Sequence, residues 1–368
     1  MNHLTQRGRA GFEFVWSYNG LMRPLALAAL VSMATAFAAD PVLLSTRREG
    51  YIEAFSLDKL ETVARVHVKA RLEGIDAGPA GDRFFVRAPH PQAAEVCCAL
   101  WALDARSLRG FAILWPSLYV AQANGKLFTQ RGDDGVEVFD TRSFAHLPRL
   151  IAPGVYQFAP SPDGRWLFAT RAFPTASLDI FDLAQHKLIR TLPVSDSQFL
   201  RGIWLGSQYY LLTPGLPGAM RLWSVDPQAE ALGSPKLIRI PAMGCSEGDF
   251  TLAATDRIVF YTPWGMKPNT DCPPGTGYVL LDPTAGTASP RLAQSAHLHH
   301  VVVGPDGKTL YGIDETDPPT RRVQLVKLDA ASGQTLASRA LPVDVWTLAL
   351  GAIPAEWQGR MDLEAVFQ

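Results

Sequence analysis

The chain has 368 residues, with 34 basic and 35 acidic side chains, 47% hydrophobic residues, 30 glycines and 28 prolines. The balanced charge excludes the electrostatic footprint of a nucleic-acid-binding protein, and the apolar content excludes a disordered chain. The many glycines and prolines predict short elements joined by turns.

The N-terminal segment predicts export. The apolar run Leu25–Ala38 follows Arg23 and is shorter than the roughly 20 residues that span a bilayer. Ala36-Phe37-Ala38 fits the small-x-small pattern that precedes signal-peptidase cleavage. We therefore expect residues 1–38 to be a signal peptide, with Met22 as a candidate start, and the mature chain to be periplasmic and free of the membrane. An uncleaved membrane anchor is the alternative.

Residues 39–355 contain a repeat of short strands. An alternating strand that ends in Asp occurs seven times, at intervals of about 45 residues, and such a period is typical of a propeller blade of four antiparallel strands. We expect an all-β, seven-bladed β-propeller, with a two-sheet β-sandwich array as the alternative. The seven strands end at Asp58, Asp104, Asp140, Asp182, Asp226, Asp282 and Asp329.

The turns of this repeat have their own signals. Ser-Pro-Asp-Gly at 161–164 and Gly-Pro-Asp-Gly at 304–307 predict turns between first and second strands, since Pro presets φ and Gly accepts positive φ. Each of the seven recurring Asp residues is expected to close the turn between third and fourth strands by accepting a backbone N–H. We therefore assign these residues a structural role rather than a catalytic one.

The two ends of the repeat region complement each other. Val42–Thr46 has the pattern of a second strand, so the first repeat lacks its innermost strand. Val345–Ile353 is one strand more than the seventh repeat needs. We expect it to complete the first blade, because this pairing joins the N- and C-terminal strands and removes free sheet edges. Residues 356–368 are expected to form a C-terminal tail.

Two segments carry a family resemblance. Gly135–Phe144 and Ala159–Val194 resemble the heavy subunit of quinoprotein amine dehydrogenases, and the blade rhythm resembles the YVTN-type bacterial propellers. The resemblance implies a periplasmic subunit without a cofactor of its own. Such a subunit docks a small cysteine-rich partner that carries tryptophan tryptophylquinone and oxidatively deaminates primary amines. The alternatives are a non-catalytic binding or scaffold propeller and a metal-assisted propeller lyase or lactonase.

Arginines recur where second strands end. Guanidinium groups near a channel mouth hold carboxylates, phosphates or an acidic partner surface. The alternative is that each arginine pairs with a nearby acid such as Glu49, Asp133 or Asp134. The candidate binding residues are Arg48, Arg87, Arg131 and Arg171, together with Arg201 at the start of a later blade.

Histidines and acids precede or begin several innermost strands and are expected at the same mouth. His297, His299 and His300 lead into the seventh blade, and close histidines suit metal binding or acid–base chemistry. His299 and Glu247 are the candidate catalytic pair, and no complete metal site is predicted. Polar residues that bind only water are the alternative. The corresponding segments of other blades carry Glu73, Asp76, Arg201, Glu247, Asp249 and Asp344.

The long loop Thr262–Gly277 is a candidate contact surface, because long ordered loops are often functional. Trp264 and Met266 supply its apolar side chains. The even number of cysteines in an exported chain suggests disulfides, and we expect Cys245 to pair with Cys272. The adjacent Cys97 and Cys98 form either a vicinal disulfide or two separately packed thiols.

Overall fold

The computed structural model describes thirteen stretches of the chain, and their secondary structure is almost wholly β. The only helix in them is a short 3-10 helix, Ala355–Trp357, and no helix in this part of the chain is long and apolar enough to cross a membrane. The described residues are 40–78, 81–89, 98–114, 120–130, 135–150, 154–171, 175–194, 201–214, 218–241, 249–252, 256–261, 276–316 and 322–367.

Five of the sheets are separate and four-stranded, and each is built from four consecutive antiparallel strands. The first contains β8 (Val120–Ala123), β9 (Lys126–Gln130), β10 (Val136–Asp140) and β11 (His146–Leu150), and the second contains β12 (Val155–Pro160), β13 (Trp166–Arg171), β14 (Ser177–Asp182) and β15 (Lys187–Pro193). The third contains β16 (Arg201–Leu205), β17 (Gln208–Pro214), β18 (Ala219–Val225) and β19 (Lys236–Arg239). The fourth contains β20 (Asp249–Leu252), β21 (Ile258–Tyr261), β22 (Tyr278–Asp282) and β23 (Thr287–Ala288), and the fifth contains β24 (Leu298–Val303), β25 (Thr309–Glu315), β26 (Val323–Asp329) and β27 (Thr335–Leu341).

The sixth sheet has nine strands. Its first half contains β1 (Pro41–Arg47), β2 (Tyr51–Ser56), β3 (Thr62–Val68) and β28 (Val345–Ala352), and its second half contains β4 (Gly74–Ala77), β5 (Arg83–Ala88), β6 (Ala99–Asp104) and β7 (Arg109–Leu114). The strand β29 (Leu363–Phe367) lies between the halves, in the order β28-β1-β2-β3-β29-β7-β6-β5-β4. It pairs in parallel with β3 on one side and with β7 on the other.

The expectation of a seven-bladed propeller is therefore corrected, because the described chain forms five blades. Five blades stand as separate four-stranded sheets, and the remaining strands share one sheet because β29 joins two outer edges. The predicted C-terminal tail supplies this strand. Each outer edge would otherwise leave a row of backbone N–H and C=O groups unpaired, and one short strand covers part of both.

The pairing of the chain's two ends is confirmed. The strand β28 lies antiparallel to β1, with Val42 opposite Gly351 and Leu44 opposite Ala349. The first repeat thus obtains its innermost strand from residues about 300 positions further along the chain. This non-local pairing is the link that closes the arrangement of sheets.

The predicted turn chemistry is also confirmed. In six of the seven repeats the Asp carboxylate accepts a backbone N–H from two or three residues further on, at 2.7–2.9 Å. The hydrogen bond from the Ser143 backbone holds the pKa of Asp140 below its ordinary value. In the two Pro-Asp-Gly turns, Gly164 and Gly307 adopt φ of +70° and +63°, as glycine does at little steric cost.

The sheets form a propeller arrangement with the core between neighbours. The innermost strands touch in succession: β28 contacts β4 and β24, β20 contacts β24 and β16, and β12 contacts β16 and β8. One apolar cluster, for example, combines Tyr278 of β22 with Leu298 and Leu328 of the next sheet. Polar side chains add to these contacts, since the Tyr278 hydroxyl lies 2.9 Å from the Ala330 carbonyl in the neighbouring sheet's turn.

Candidate functional site

One end of the sheets collects most of the candidate residues. Antiparallel pairing places the start of an innermost strand beside the end of a second strand: Gly74 lies opposite Arg87, and Leu298 lies opposite Asp314. We call this the charged end. It is the end at which β4, β24 and β28 begin and β1, β5 and β25 finish. Its ionisable residues include Arg47, Arg48, Glu73, Asp76, Arg87, His299, His300, Glu315 and Asp344.

Ion pairs at the charged end join the turns and strand ends of the nine-stranded sheet. Arg47 Nε lies 3.0 Å from Asp344 Oδ1, and its Nη2 lies 2.7 Å from Glu49 Oε2. Arg48 approaches Glu73 at 3.9 Å, a longer contact between the two halves of the sheet. The predicted alternative, in which arginines pair with nearby acids, therefore describes Arg47 and Arg48.

Arg87 has a different environment from the other arginines. Its guanidinium lies over Gly74, where a Cβ would be only 2.4 Å from Nη2, so a side chain at residue 74 would displace it. Arg87 also lies 3.5 Å from the Glu73 carbonyl oxygen. Because β4 is an innermost strand, the guanidinium extends from the second strand across the first, towards the centre of the ring.

Asp76 lies on β4, two residues beyond Gly74. Its side chain is half-buried. The protein that surrounds the carboxyl nevertheless desolvates it, and this burial raises its pKa to about 6. The positive charge of Arg87 acts in the opposite direction and lowers the pKa. A carboxyl with such a pKa titrates under mildly acidic conditions.

The histidines of β24 form the other part of the charged end. His299 is buried and its Nε2 lies 3.0 Å from Glu315 Oε2. His300 is the extra residue of a β-bulge and has φ of +50°. Burial lowers the pKa of His300 to about 4, and the nearby charges of His299 and Arg87 contribute in the same direction. His300 is therefore a neutral imidazole at neutral pH.

Arg171 points into its own sheet rather than towards the other candidates. Its Nη2 donates to Asp179 Oδ1 at 2.9 Å and its Nε donates to Ser177 Oγ at 3.1 Å. Thr191 donates to the same Asp179 oxygen at 2.7 Å. Arg201 begins β16 and is half-buried. The surroundings of Arg171 thus differ from those of Arg87, and the binding role of the arginines stays a prediction.

Several candidates lie outside the described residues, and their roles stay predictions. They are Arg131, Glu247, Trp264, Met266, Cys97, Cys245 and Cys272. Cys98 is buried and disulfide-bonded, but the pairings of Cys97 with Cys98 and of Cys245 with Cys272 are not tested. Within the described ranges, no group of three or more His, Cys, Asp or Glu side chains is placed to hold a metal ion.

Sequence reasoning placed His299 and Asp76 at this end but missed two features. It did not identify Glu315 as the partner of His299, although Glu315 ends a second strand, as the candidate arginines do. It also did not identify the bulge at His300, which alters the strict alternation of side chains along β24. Bulges often occur next to functional sites, where they change the direction of a side chain.

Comparison with known proteins supports the fold and goes no further. No protein-family model and no curated protein matches the chain. Dihydro-heme d1 dehydrogenase NirN in complex with DHE is 17% identical with a TM-score of 0.55, over 83% of this chain. This chain covers only 64% of the NirN chain.

Two further solved structures are covered almost completely by this chain. A functionally unknown protein from Desulfotomaculum acetoxidans is 11% identical with a TM-score of 0.57, over 85% of this chain and 99% of that one. Apo AztD from Citrobacter koseri is 12% identical with a TM-score of 0.51, over 85% of this chain and 98% of that one. At these identities the likeness shows the fold alone, and the chain is a β-propeller protein.

Proposed function

We propose that this chain is an exported β-propeller that docks a partner protein on its charged end and supplies binding rather than chemistry. One observation carries the proposal: cationic and anionic side chains from separate parts of the chain lie together at that end, as in the pairs Arg47–Asp344 and Arg48–Glu73. A surface with both signs of charge orients a protein partner, because complementary potentials speed association and like charges exclude wrong partners.

We further propose that the partner is a small, cysteine-rich, quinone-bearing subunit. The support is the resemblance of Gly135–Phe144 and Ala159–Val194 to heavy subunits of quinoprotein amine dehydrogenases. In such a complex the tryptophan tryptophylquinone belongs to the small subunit, and a primary amine is oxidatively deaminated there. The part of this chain is to orient that subunit and to exclude water from the contact.

The test is capture of the tagged mature chain from the periplasm of its source, followed by an absorbance spectrum of what co-purifies. The proposal expects a small cysteine-rich protein with quinone absorption, released by salt because screening weakens contacts between exposed charges. Arg48→Glu should reduce capture, whereas Arg142→Glu, in an exposed turn at the opposite end, should not. A lone, colourless protein would overturn the quinone subunit and favour the scaffold propeller.

A further inference from the structure

The outermost strands of the propeller differ in how their free edges are protected. An open edge presents unpaired backbone groups with which another chain can pair. The strand β29 covers part of β3 and β7, and β11 and β15 each contain a proline. The strands β19 and β23 have only four and two residues. Prolines and short lengths are ways in which natural proteins protect edge strands.

The strand β27 has none of these protections. It has seven residues and no proline, and in the described ranges no further strand pairs with its outer edge. Its one charged side chain, Arg339, does not guard that edge, because it contacts the neighbouring sheet. Arg339 Nη1 donates to the Leu60 carbonyl at 3.0 Å, and the guanidinium lies 5.7 Å from the centroid of the Phe55 ring. These contacts fix β27 in place without covering its edge.

A cavity of about 490 Å³ lies where this edge ends. It is at the charged end, where β26 begins and β27 finishes. The Arg322 backbone N–H is held by Thr316 Oγ1 at 2.9 Å, and no acidic side chain of the described residues pairs with the Arg322 guanidinium. The cavity is therefore mainly apolar with one cation, and its lining residues are Arg322, Val323, Gln324, Ala340, Leu341 and Val343.

We propose that β27 binds the extended C-terminal peptide of a partner protein as an added strand, with the last residue of that peptide in the cavity. The peptide runs parallel to β27, since this direction brings its terminal carboxylate to the charged end beside Arg322. The strand β29 pairs with β3 and β7 in the same parallel direction. In recognition by strand addition, main-chain hydrogen bonds give affinity and side-chain pockets give specificity.

The chemistry of the cavity selects the end of the peptide. A guanidinium can donate two parallel N–H groups to a carboxylate, so Arg322 suits the free C-terminus. Val323 and Leu341 suit an apolar final side chain. Such a side chain would also cover Val343, which is 53% exposed just beyond β27.

A partner peptide fits this edge better than a second copy of the chain. Two β27 strands related by a two-fold axis would pair antiparallel. That pairing would leave the cavity and the Arg322 guanidinium of both copies unused. A parallel peptide strand uses the edge and the cavity together.

The experiment is fluorescence anisotropy of residues 39–368 with a short labelled peptide of alternating threonine and valine, ending either in a free carboxylate or in an amide. We expect the carboxylate form to bind about tenfold more tightly, because the amide loses the charge-assisted contact with Arg322. Arg322→Gln should make the two forms bind equally. The control Arg142→Gln, in an exposed turn at the opposite end, should preserve the difference. Equal binding of both forms by the unaltered chain, or binding of neither form, would overturn the proposal.

Backbone methylation of the peptide separates strand addition from simple attraction between charges. Only every second N–H of an added strand faces the edge with which it pairs. Methylation of one alternating set of peptide nitrogens should therefore abolish binding, whereas methylation of the other set should leave it nearly unchanged. Equal effects of the two sets would overturn strand addition.

Hydrogen exchange locates the bound peptide. The amides of Thr335–Leu341 should exchange more slowly when the peptide is bound, and those of β11 and β15 should not change. Slower exchange at β11 or β15 instead would overturn the assignment to β27. A dimer in which β27 is already protected without peptide would also overturn it. The peptide is synthetic and no quinone-bearing subunit is present, so these outcomes are independent of the docking proposed above.

Discussion

Replacement of Trp357 should show how much the C-terminal segment stabilises the fold. Trp357 follows β28 and precedes β29 in the chain, and its side chain is buried. Its ring centroid is 5.1 Å from that of Phe84, and its Nε1 donates to the Ala105 carbonyl at 2.8 Å. A buried aromatic side chain removes about 150–250 Å² from water. At about 25 cal/mol per Å² this is worth roughly 4–6 kcal/mol, an upper bound because unfolded chains also bury some surface.

We therefore expect Trp357→Ala to lower the free energy of unfolding by about 4 kcal/mol, within the usual range for such substitutions. Trp357→Phe keeps most of the apolar contact but leaves the buried Ala105 carbonyl without its donor, which should cost about 1–2 kcal/mol. The measurement is urea unfolding of residues 39–368, followed by circular dichroism.

The matched control is Met361→Ala, four residues further on and exposed. It should change stability by no more than about 0.5 kcal/mol. If Trp357→Ala shifts the unfolding midpoint no more than this control does, the C-terminal segment is not packed against the sheets as described. If Trp357→Phe matches the unaltered chain, the hydrogen bond to Ala105 contributes nothing to stability.

Three other predictions concern the same fold. Tyr278→Phe removes the hydroxyl contact to the Ala330 carbonyl and should lower thermal stability by about 1 kcal/mol; an unchanged melting temperature would contradict it. Deletion of residues 343–368 removes β28 and β29 and should abolish cooperative unfolding, whereas a fully stable product would refute the closure. The pKa of Asp76 in the folded state is raised to about 6. Ionisation of its carboxyl therefore destabilises the fold above about pH 6 and has no effect below the pKa of the unfolded chain. Asp76→Asn should therefore stabilise the chain by on the order of 2 kcal/mol at pH 7.5 but not at pH 3.5, as parallel urea titrations would show.

Local sequence was sufficient for the strands and their turns. An Asp that ends a strand reaches a backbone N–H only two or three residues away, so Asp282 accepts the Ala285 N–H within its own turn. Glycines at 164 and 307 supply the positive φ that their turns require. The alternation of apolar residues likewise depends on the immediate pleat of one strand, and for these reasons the all-β repeat could be predicted.

Side-chain direction at the charged end was not decided locally. Arg87 and Arg171 both lie at or near the end of a second strand, and in sequence they were equivalent candidates. Arg171 pairs with the buried Asp179 on the adjacent strand of its own sheet. Arg87 instead lies over Gly74 of the innermost strand, which has no side chain. The difference comes from residues on neighbouring strands, and only the pairing of those strands brings them into contact.

The position of β29 was likewise decided by the tertiary structure. Its five residues alternate between buried and exposed, a pattern that fits any sheet edge. The two edges it joins belong to β3 and β7, about 300 and 250 positions earlier in the chain. Backbone hydrogen bonding is the same for every strand and does not specify a partner, so the position of a short C-terminal strand depends on which sheet edges the rest of the fold leaves open.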